Sequence, residues 1–304
     1  MNKNLRPAPL NLGRIDYLNC WPLYHQLQKR ADGKLFQLHS GHPAALNQGL
    51  ETGAIDLSPS SSMLPAVSPA CDYFIMPDIA ITSLSEVQSV ILLSRRPPVQ
   101  LTGCNIALTS HSLTSVFLLK IILFQFLGLA PQSLSFGTEE LTGKEFTASP
   151  AVEAALIIGD QALELYHNPP AGFQVYDLGR LWHHYTGLPF VYALWLGRKA
   201  ALTEKSQMII SLHRHLTQIA AELPGKLSQL TASALAEADR KSTISPSQLL
   251  AYWQAAISYR LDTPALAGLK LFYQYARELN LIDQVPELDF FPKTKDTDMM
   301  QGSY

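Results

Sequence analysis

An α/β fold built as two lobes around a ligand cleft is the architecture this sequence predicts, and three observations carry it. Strand-like and helix-like periodicities alternate up to about residue 197. The alternation breaks at Arg95, Arg96, Pro97 and Pro98 and then restarts, and from Thr203 onward the pattern is almost wholly helical. Two alternating blocks and a returning tail imply two crossings between lobes. That assigns 1–95 and 196–304 to the first lobe and 96–195 to the second. A cleft between lobes is where a ligand would bind.

The elements follow in order. LGRIDYL is a short apolar strand and WPLYHQLQ takes helical spacing, with Pro22 acceptable in the first turn, so Asn19 centres a strand-to-helix turn. FQLHSG reads as a strand, HPAALNQGLETG as a helix with Gly53 past its end, and IDLSPSSS as a strand running into a hydroxyl-rich turn at Ser61 and Ser62. DYFIMPDIAITS and VQSVILLS are further strands, the second containing Ser89. After the crossing, CNIALTS is a strand and SLTSVFLLKIILFQFLG one long helix ending near Gly128. ALIIGD and DQALELYH repeat the strand-helix step with Gly159 and Asp160 at the junction. QVYDLGRLWHHYTGLPFVYALWLG gives a loop and then a strong strand at 190–196. The tail is helical, with breaks near Pro224, between Thr243 and Pro246, and between Asp262 and Pro264.

Composition narrows the function classes. A chain of 304 residues, 47% hydrophobic and 16% charged, can bury a sizeable core and reads as a soluble globular protein. A net charge of −2, without a Lys/Arg cluster, excludes a nucleic-acid partner. The most apolar run, VFLLKIILFQFLGLA, is interrupted by Lys120 and Gln125 and falls short of the ~18 residues a membrane span needs, so it predicts a buried helix. The N-terminal MNKNLRPAPLNLGRIDYLN carries no apolar run of signal-peptide length, and three cysteines without CxxC spacing suit a reducing compartment; the cytoplasm is expected. The expected partner is a small molecule, bound by a monomer or a small homo-oligomer.

The stretch LTSHSLTSVFLL crowds Thr109, Ser110, His111, Ser112, Thr114 and Ser115 at the mouth of an apolar helix. Ser112 is a good N-cap, and Thr114 and Ser115 fall in the first turn, where free backbone N–H groups and the helix dipole favour an anion such as a carboxylate or phosphate. Capping alone accounts for one hydroxyl; so many in succession point to a ligand. Nucleotide chemistry loses its support, because GTEELTGKE spaces its glycines by five residues where a phosphate loop has four, and places Glu145 where a Ser or Thr must hold magnesium. No GxSxG elbow makes a hydrolase of the serines. The histidines of HSGH, HRH and His183–His184 lack HExxH spacing and a carboxylate cluster, so no metal is expected. Asn19 and Asp160 each have an ordinary reading as helix caps beside a functional one.

Taken together, GRIDYLNCWPL, LSPSSS, VQSVILLS, LTSHSLTS, IIGDQAL and YDLGRLWHHYTGLPFVYALW, in that order over about residues 12 to 197, resemble the chorismate dehydratases of the futalosine route to menaquinone. The resemblance implies a type II periplasmic-binding-protein-like fold, used as an enzyme. It also implies loss of water from chorismate to give 3-[(1-carboxyvinyl)oxy]benzoate, with no cofactor or metal. Carried onto this sequence, it makes Asn19 and Ser89 the catalytic pair. Ser61, Ser62, Ser112, Thr114, Ser115, Gly159 and Asp160 become the substrate-binding set. These segments offer amides and hydroxyls and no obvious His or Glu base, so the enolpyruvyl carboxylate of the substrate is the expected proton acceptor. Two rivals stay open at this point. One is a non-catalytic solute-binding or ligand-sensing protein of the same fold. The other is a sister enzyme acting on a cyclic futalosine derivative, against which Gly159 and Asp160 count, since a histidine is expected there.

Overall fold

A computed structural model describes residues 8–30, 35–138, 152–237 and 243–293. Among these residues the strands are β1 (Leu10–Ile15), β2 (Phe36–Gly41), β3 (Leu57–Ser61), β4 (Tyr73–Ser83), β5 (Val90–Ser94), β6 (Asn105–Leu108), β7 (Ser135–Thr138), β8 (Ala154–Ile158), β9 (Gln174–Asp177), β10 (Phe190–Arg198) and β11 (Ser258–Leu261). They form two mixed sheets, ordered β11-β4-β10-β3-β1-β2 and β7-β6-β8-β5-β9. In the first, β1 runs parallel to β2 and β3, while β10 is antiparallel to β3 and β4. Helices cover both faces, so central strands such as VILLS of β5 are buried throughout and show no alternation.

The two-lobed α/β expectation holds, with different seams. β5 pairs with β8 and β9 in the second sheet, and β10 pairs into the first sheet from Phe190 onward. The chain therefore passes between sheets across residues 84–89 and again across 187–189. Arg95–Pro98 instead follows β5 and leads into a short 3-10 turn at Pro98–Gln100. Its prolines end a strand, which is the job Pro does wherever a ladder bond would be lost.

Three elements went unread in the sequence. β7 and β9 are four-residue strands too short for a periodic signal, and β11 lies within a tail that otherwise reads as helix. The segment expected as a loop after β9 is a helix, Leu178–Thr186, whose N-cap Asp177 accepts from the Arg180 amide and whose C-cap Gly187 is left-handed. Elsewhere the local signals act as expected. Helix Pro43–Thr52 starts on His42 and stops at left-handed Gly53, and helix Leu113–Ile121 starts on Ser112 and runs on through a π-helical turn, Ile122–Phe126. The rejected phosphate-loop segment lies, beyond Thr138, outside the described residues.

The tail ties the lobes together. Helix Leu202–Glu222 packs on β1 and β4, and helix Thr263–Glu278 packs on β10 and on helix Leu113–Ile121 of the other lobe. Tyr252, Trp253 and Ile257, between them, reach the junction of the two sheets. Among the described residues, no helix is long and apolar enough to cross a membrane.

Candidate active site

Residues at the carboxyl ends of β1 and β3, parallel neighbours in the first sheet, and of β8 in the second line one cleft, and each strand is followed by a turn into a helix. Where α/β strands end in this way, a crevice opens and backbone N–H groups face it. The crevice here is lined by Tyr17 and Asn19 after β1, Ser60 and Ser61 at the end of β3, Val87 and Ser89 on the crossing, Ser112, Thr114 and Ser115 at their helix start, and Gly159 after β8. Ile15, Ile81, Ile158 and Ile257 give it apolar walls. Among the described residues no Lys, Arg, Asp or Glu lines it, and the polarity these residues give it comes from amides, hydroxyls and helix N-termini.

Seven of the expected site residues, Asn19, Ser61, Ser89, Ser112, Thr114, Ser115 and Gly159, therefore share one cleft. Two do not line it. Ser62 is fully buried behind the wall, where its hydroxyl donates to the Val191 carbonyl at 2.8 Å. Asp160 lies in the first turn of helix Gly159–His167 without capping it, and its carboxylate accepts from the Leu18 amide at 2.8 Å, next to Asn19.

Several hydroxyls are already engaged. Ser112 caps its own helix by accepting from the Ser115 amide at 3.2 Å, and it also donates to the Ser115 hydroxyl at 2.8 Å. Ser61 and Thr114 meet at 2.7 Å, a bond between the first sheet and the second lobe's helix, and Thr114 donates onward to the Tyr192 carbonyl at 2.9 Å. Nearby, the rings of His42 and His111 stack at 4.3 Å between the same two lobes. By contrast, the Asn19 Oδ1 and the Ser60 hydroxyl are buried without a hydrogen-bond partner among the described residues. A buried polar atom left unpaired costs about 1–3 kcal/mol, so both are places where a ligand group gains most.

The Asn19 turn is held from three sides. The Leu18 amide donates to Asp160, the Trp253 indole donates to the Leu18 carbonyl at 2.8 Å, and the Tyr259 hydroxyl donates to the Asn19 carbonyl at 2.5 Å. Ser89 sits on an equally fixed crossing. Gln88 before it is left-handed at φ 58, and the buried Asp177 carboxylate accepts from the amides of Val87, Gln88 and Arg180. Burial pushes the Asp177 carboxyl up, and those amides pull it back. Sequence reasoning missed Tyr17, Ser60 and the tail aromatics. Ser60 lay within the quoted LSPSSS turn, but no periodicity tells which serine at a strand end faces the cleft.

Asp160 has a measurable signature. Burial, chiefly, and the nearby Glu164 push its carboxyl from 3.8 up to about 6, while the Leu18 amide opposes the rise. For an acid whose pKa is higher in the fold, the protonated form is favoured, so stability is greatest below about pH 4 and declines as pH rises to about 6. The full decline is about 3 kcal/mol. Asp160→Asn keeps an oxygen for Leu18 and carries no charge. Its unfolding free energy should gain on the unmodified protein across that interval, as denaturant titrations at pH 4 and pH 7 would measure; equal pH dependence would show that Asp160 is not the cause.

Among the described residues, no group of three or more His, Cys, Asp or Glu side chains is placed to hold a metal.

Comparison with known proteins follows the same lines. The family described as menaquinone biosynthesis matches residues 10–278. The chain is similar to the chorismate dehydratase of Thermus thermophilus, 32% identical over 284 residues that cover 88% of this chain and 94% of the relative. It is also similar to the chorismate dehydratase of Campylobacter jejuni, 25% identical with 88% and 98% covered. Among solved structures, the alkanesulfonate-binding protein SsuA of Xanthomonas axonopodis pv. citri superposes with a TM-score of 0.71 at 16% identity, covering 92% of this chain and 96% of that one. The aliphatic sulphonate-binding SsuA of Escherichia coli gives 0.65 at 15%, with 95% of both covered. At such identities these two speak for the fold alone, a periplasmic-binding-protein-like one.

Proposed function

Because the chain belongs to the menaquinone biosynthesis family, matched over residues 10–278, we propose that it acts as a carbon–oxygen lyase dehydrating chorismate to 3-[(1-carboxyvinyl)oxy]benzoate. The observation that carries this reading to particular residues is the meeting of Asn19 and Ser89, from separate segments, in a single cleft lined, among the described residues, by no charged side chain.

Chorismate is a dianion with a cyclohexadiene ring. Its ring stacks naturally against isoleucine walls and Tyr17, and a carboxylate suits the N–H groups at the start of helix Leu113–Ile121. The reaction removes the proton on ring carbon 3 and the hydroxyl on ring carbon 4. The C–H electron pair becomes ring π density, the hydroxyl leaves with its own pair, and an aromatic ring results. Aromatisation supplies the driving force, so the protein mainly has to orient the groups.

With no Asp, Glu, His or Lys lining the cleft among the described residues, the proton acceptor in this reading is the enolpyruvyl carboxylate of the substrate. That carboxyl then returns the proton to the departing hydroxyl, giving water. Asn19 and Ser89 hold the carboxylate and the departing hydroxyl in line. Nothing in the scheme requires a cofactor or a metal. The free cysteines Cys20, Cys71 and Cys104 suit the cytoplasm as the compartment.

The test compares chorismate with its enolpyruvyl methyl ester. Chorismate should be consumed, and the ester, which keeps the ring and its leaving group but has lost the base, should be left intact. Consumption of both at similar rates would place the base on the protein.

A further inference from the structure

The catalytic pair comes from the first third of the chain, yet the Ser89 hydroxyl takes its shortest hydrogen bond from the C-terminal tail. Tyr252 lies in the tail at the start of a π-helical turn, Tyr252–Ala256. Such turns shift side chains off the regular helical face and recur at functional sites. Its ring is buried, and its hydroxyl donates to the Ser89 Oγ at 2.8 Å. Burial holds this phenol well above its ordinary pKa, so it remains a donor throughout the working pH range.

The bond fixes where the Ser89 proton goes. A serine hydroxyl has one proton to give and lone pairs to accept with. Since Tyr252 occupies the Oγ as an acceptor, the remaining proton must point elsewhere. In the structure it reaches the Val87 carbonyl at 3.3 Å, long for an O–H···O bond. A substrate hydroxyl entering the cleft at Ser89 takes over that proton at little cost. Accepting from Tyr252 also polarises the Ser89 O–H and strengthens its next bond, the cooperativity expected of hydrogen-bond chains in a dry interior.

We infer that Tyr252 is a positioning residue for the dehydration, holding the Ser89 hydroxyl as a donor to the departing hydroxyl of the substrate. The inference rests on the assignment of Ser89 above. Tyr252 does not line the cleft, and it acts only through Ser89. The π-helical turn and the tail thereby belong to the site's working parts, and the matched segments before residue 197 do not complete it.

The experiment is a double-mutant cycle on the full chain, with kcat and KM for chorismate measured in Tyr252→Phe, Ser89→Ala and the double variant. Phenylalanine keeps the ring that fills the space, and melting temperatures check that all variants fold. Tyr252→Phe should lower kcat by about 10- to 100-fold and leave KM within about threefold, and should change kcat by less than about twofold once Ser89 is alanine. A kcat within about twofold of the unmodified enzyme, or the same loss in both backgrounds, would reduce Tyr252 to a packing residue. If Ser89→Ala itself retains turnover, the assignment of Ser89 is what fails.

Discussion

Asn19→Ala should lower kcat for chorismate by about 100- to 1000-fold while leaving the protein folded. The magnitude follows from the way the turn is built. Leu18 and Asn19 are tied through backbone atoms to Asp160, Trp253 and Tyr259, so removing the carboxamide does not release the turn. What is lost is the whole carboxamide: the Nδ2–H donors that hold the substrate carboxylate in this reading, and the buried Oδ1, which meets no hydrogen-bond partner among the described residues, on a side chain that lines the cleft with Tyr17. Donors and acceptors held in advance at a reacting centre act in a low dielectric without reorganising, and deleting one usually costs two to three orders of magnitude. A loss confined to KM would instead make Asn19 a binding group. Turnover within a few-fold of the unmodified protein would remove it from the mechanism.

Gly159→Ala should damage both stability and catalysis. Gly159 is left-handed at φ +70, a conformation that costs an L-residue about 1–2 kcal/mol. Its added Cβ would also stand 2.8 Å from Tyr17 Cε1, closer than real Cβ contacts come. Either the Tyr17 ring moves into the cleft or the helix start moves away, and the second disturbs the bond from the Gly159 amide to the Ser89 carbonyl at 2.8 Å. We expect a destabilisation of about 2 kcal/mol and a fall in kcat/KM of about tenfold or more. Gly172→Ala is the control. It is also left-handed, at φ +83, but its Cβ meets open space, so it should cost stability alone. Equal activity in the two variants would mean that Tyr17 and the Ser89 carbonyl do not depend on Gly159.

These residues also show what a sequence discloses and what it withholds. The turn after β1, the hydroxyl run after β3 and the Ser112 cap were legible because strand ends, small polar residues and helix starts have short-range causes. The cleft could be inferred from their repetition. The seams between lobes were not legible, since Arg95–Pro98 looks like a crossing while the true one, at residues 84–89, is held by Asp177 from nearly ninety positions away. Ser62 and Asp160 enter the substrate-binding set through the resemblance, and each is the chain neighbour of a residue that does line the cleft. Which way a side chain turns at a strand end depends on long-range partners, the Val191 carbonyl for one and the Leu18 amide for the other. The tail aromatics were invisible for the same reason: Tyr252, Trp253 and Tyr259 carry no motif, and their contacts with residues 18–89 exist only in the folded chain.

The central claim, that this cleft dehydrates chorismate with groups the protein and the substrate already possess, is tested most directly by product analysis. Chelator-treated protein is mixed with chorismate alone and the products are separated and weighed by liquid chromatography and mass spectrometry. The account predicts a species lighter by one water that matches 3-[(1-carboxyvinyl)oxy]benzoate, formed without added metal or cofactor and nearly absent with Asn19→Ala. Chorismate recovered unchanged while still bound by the protein would contradict it and point to a binding protein of the same fold.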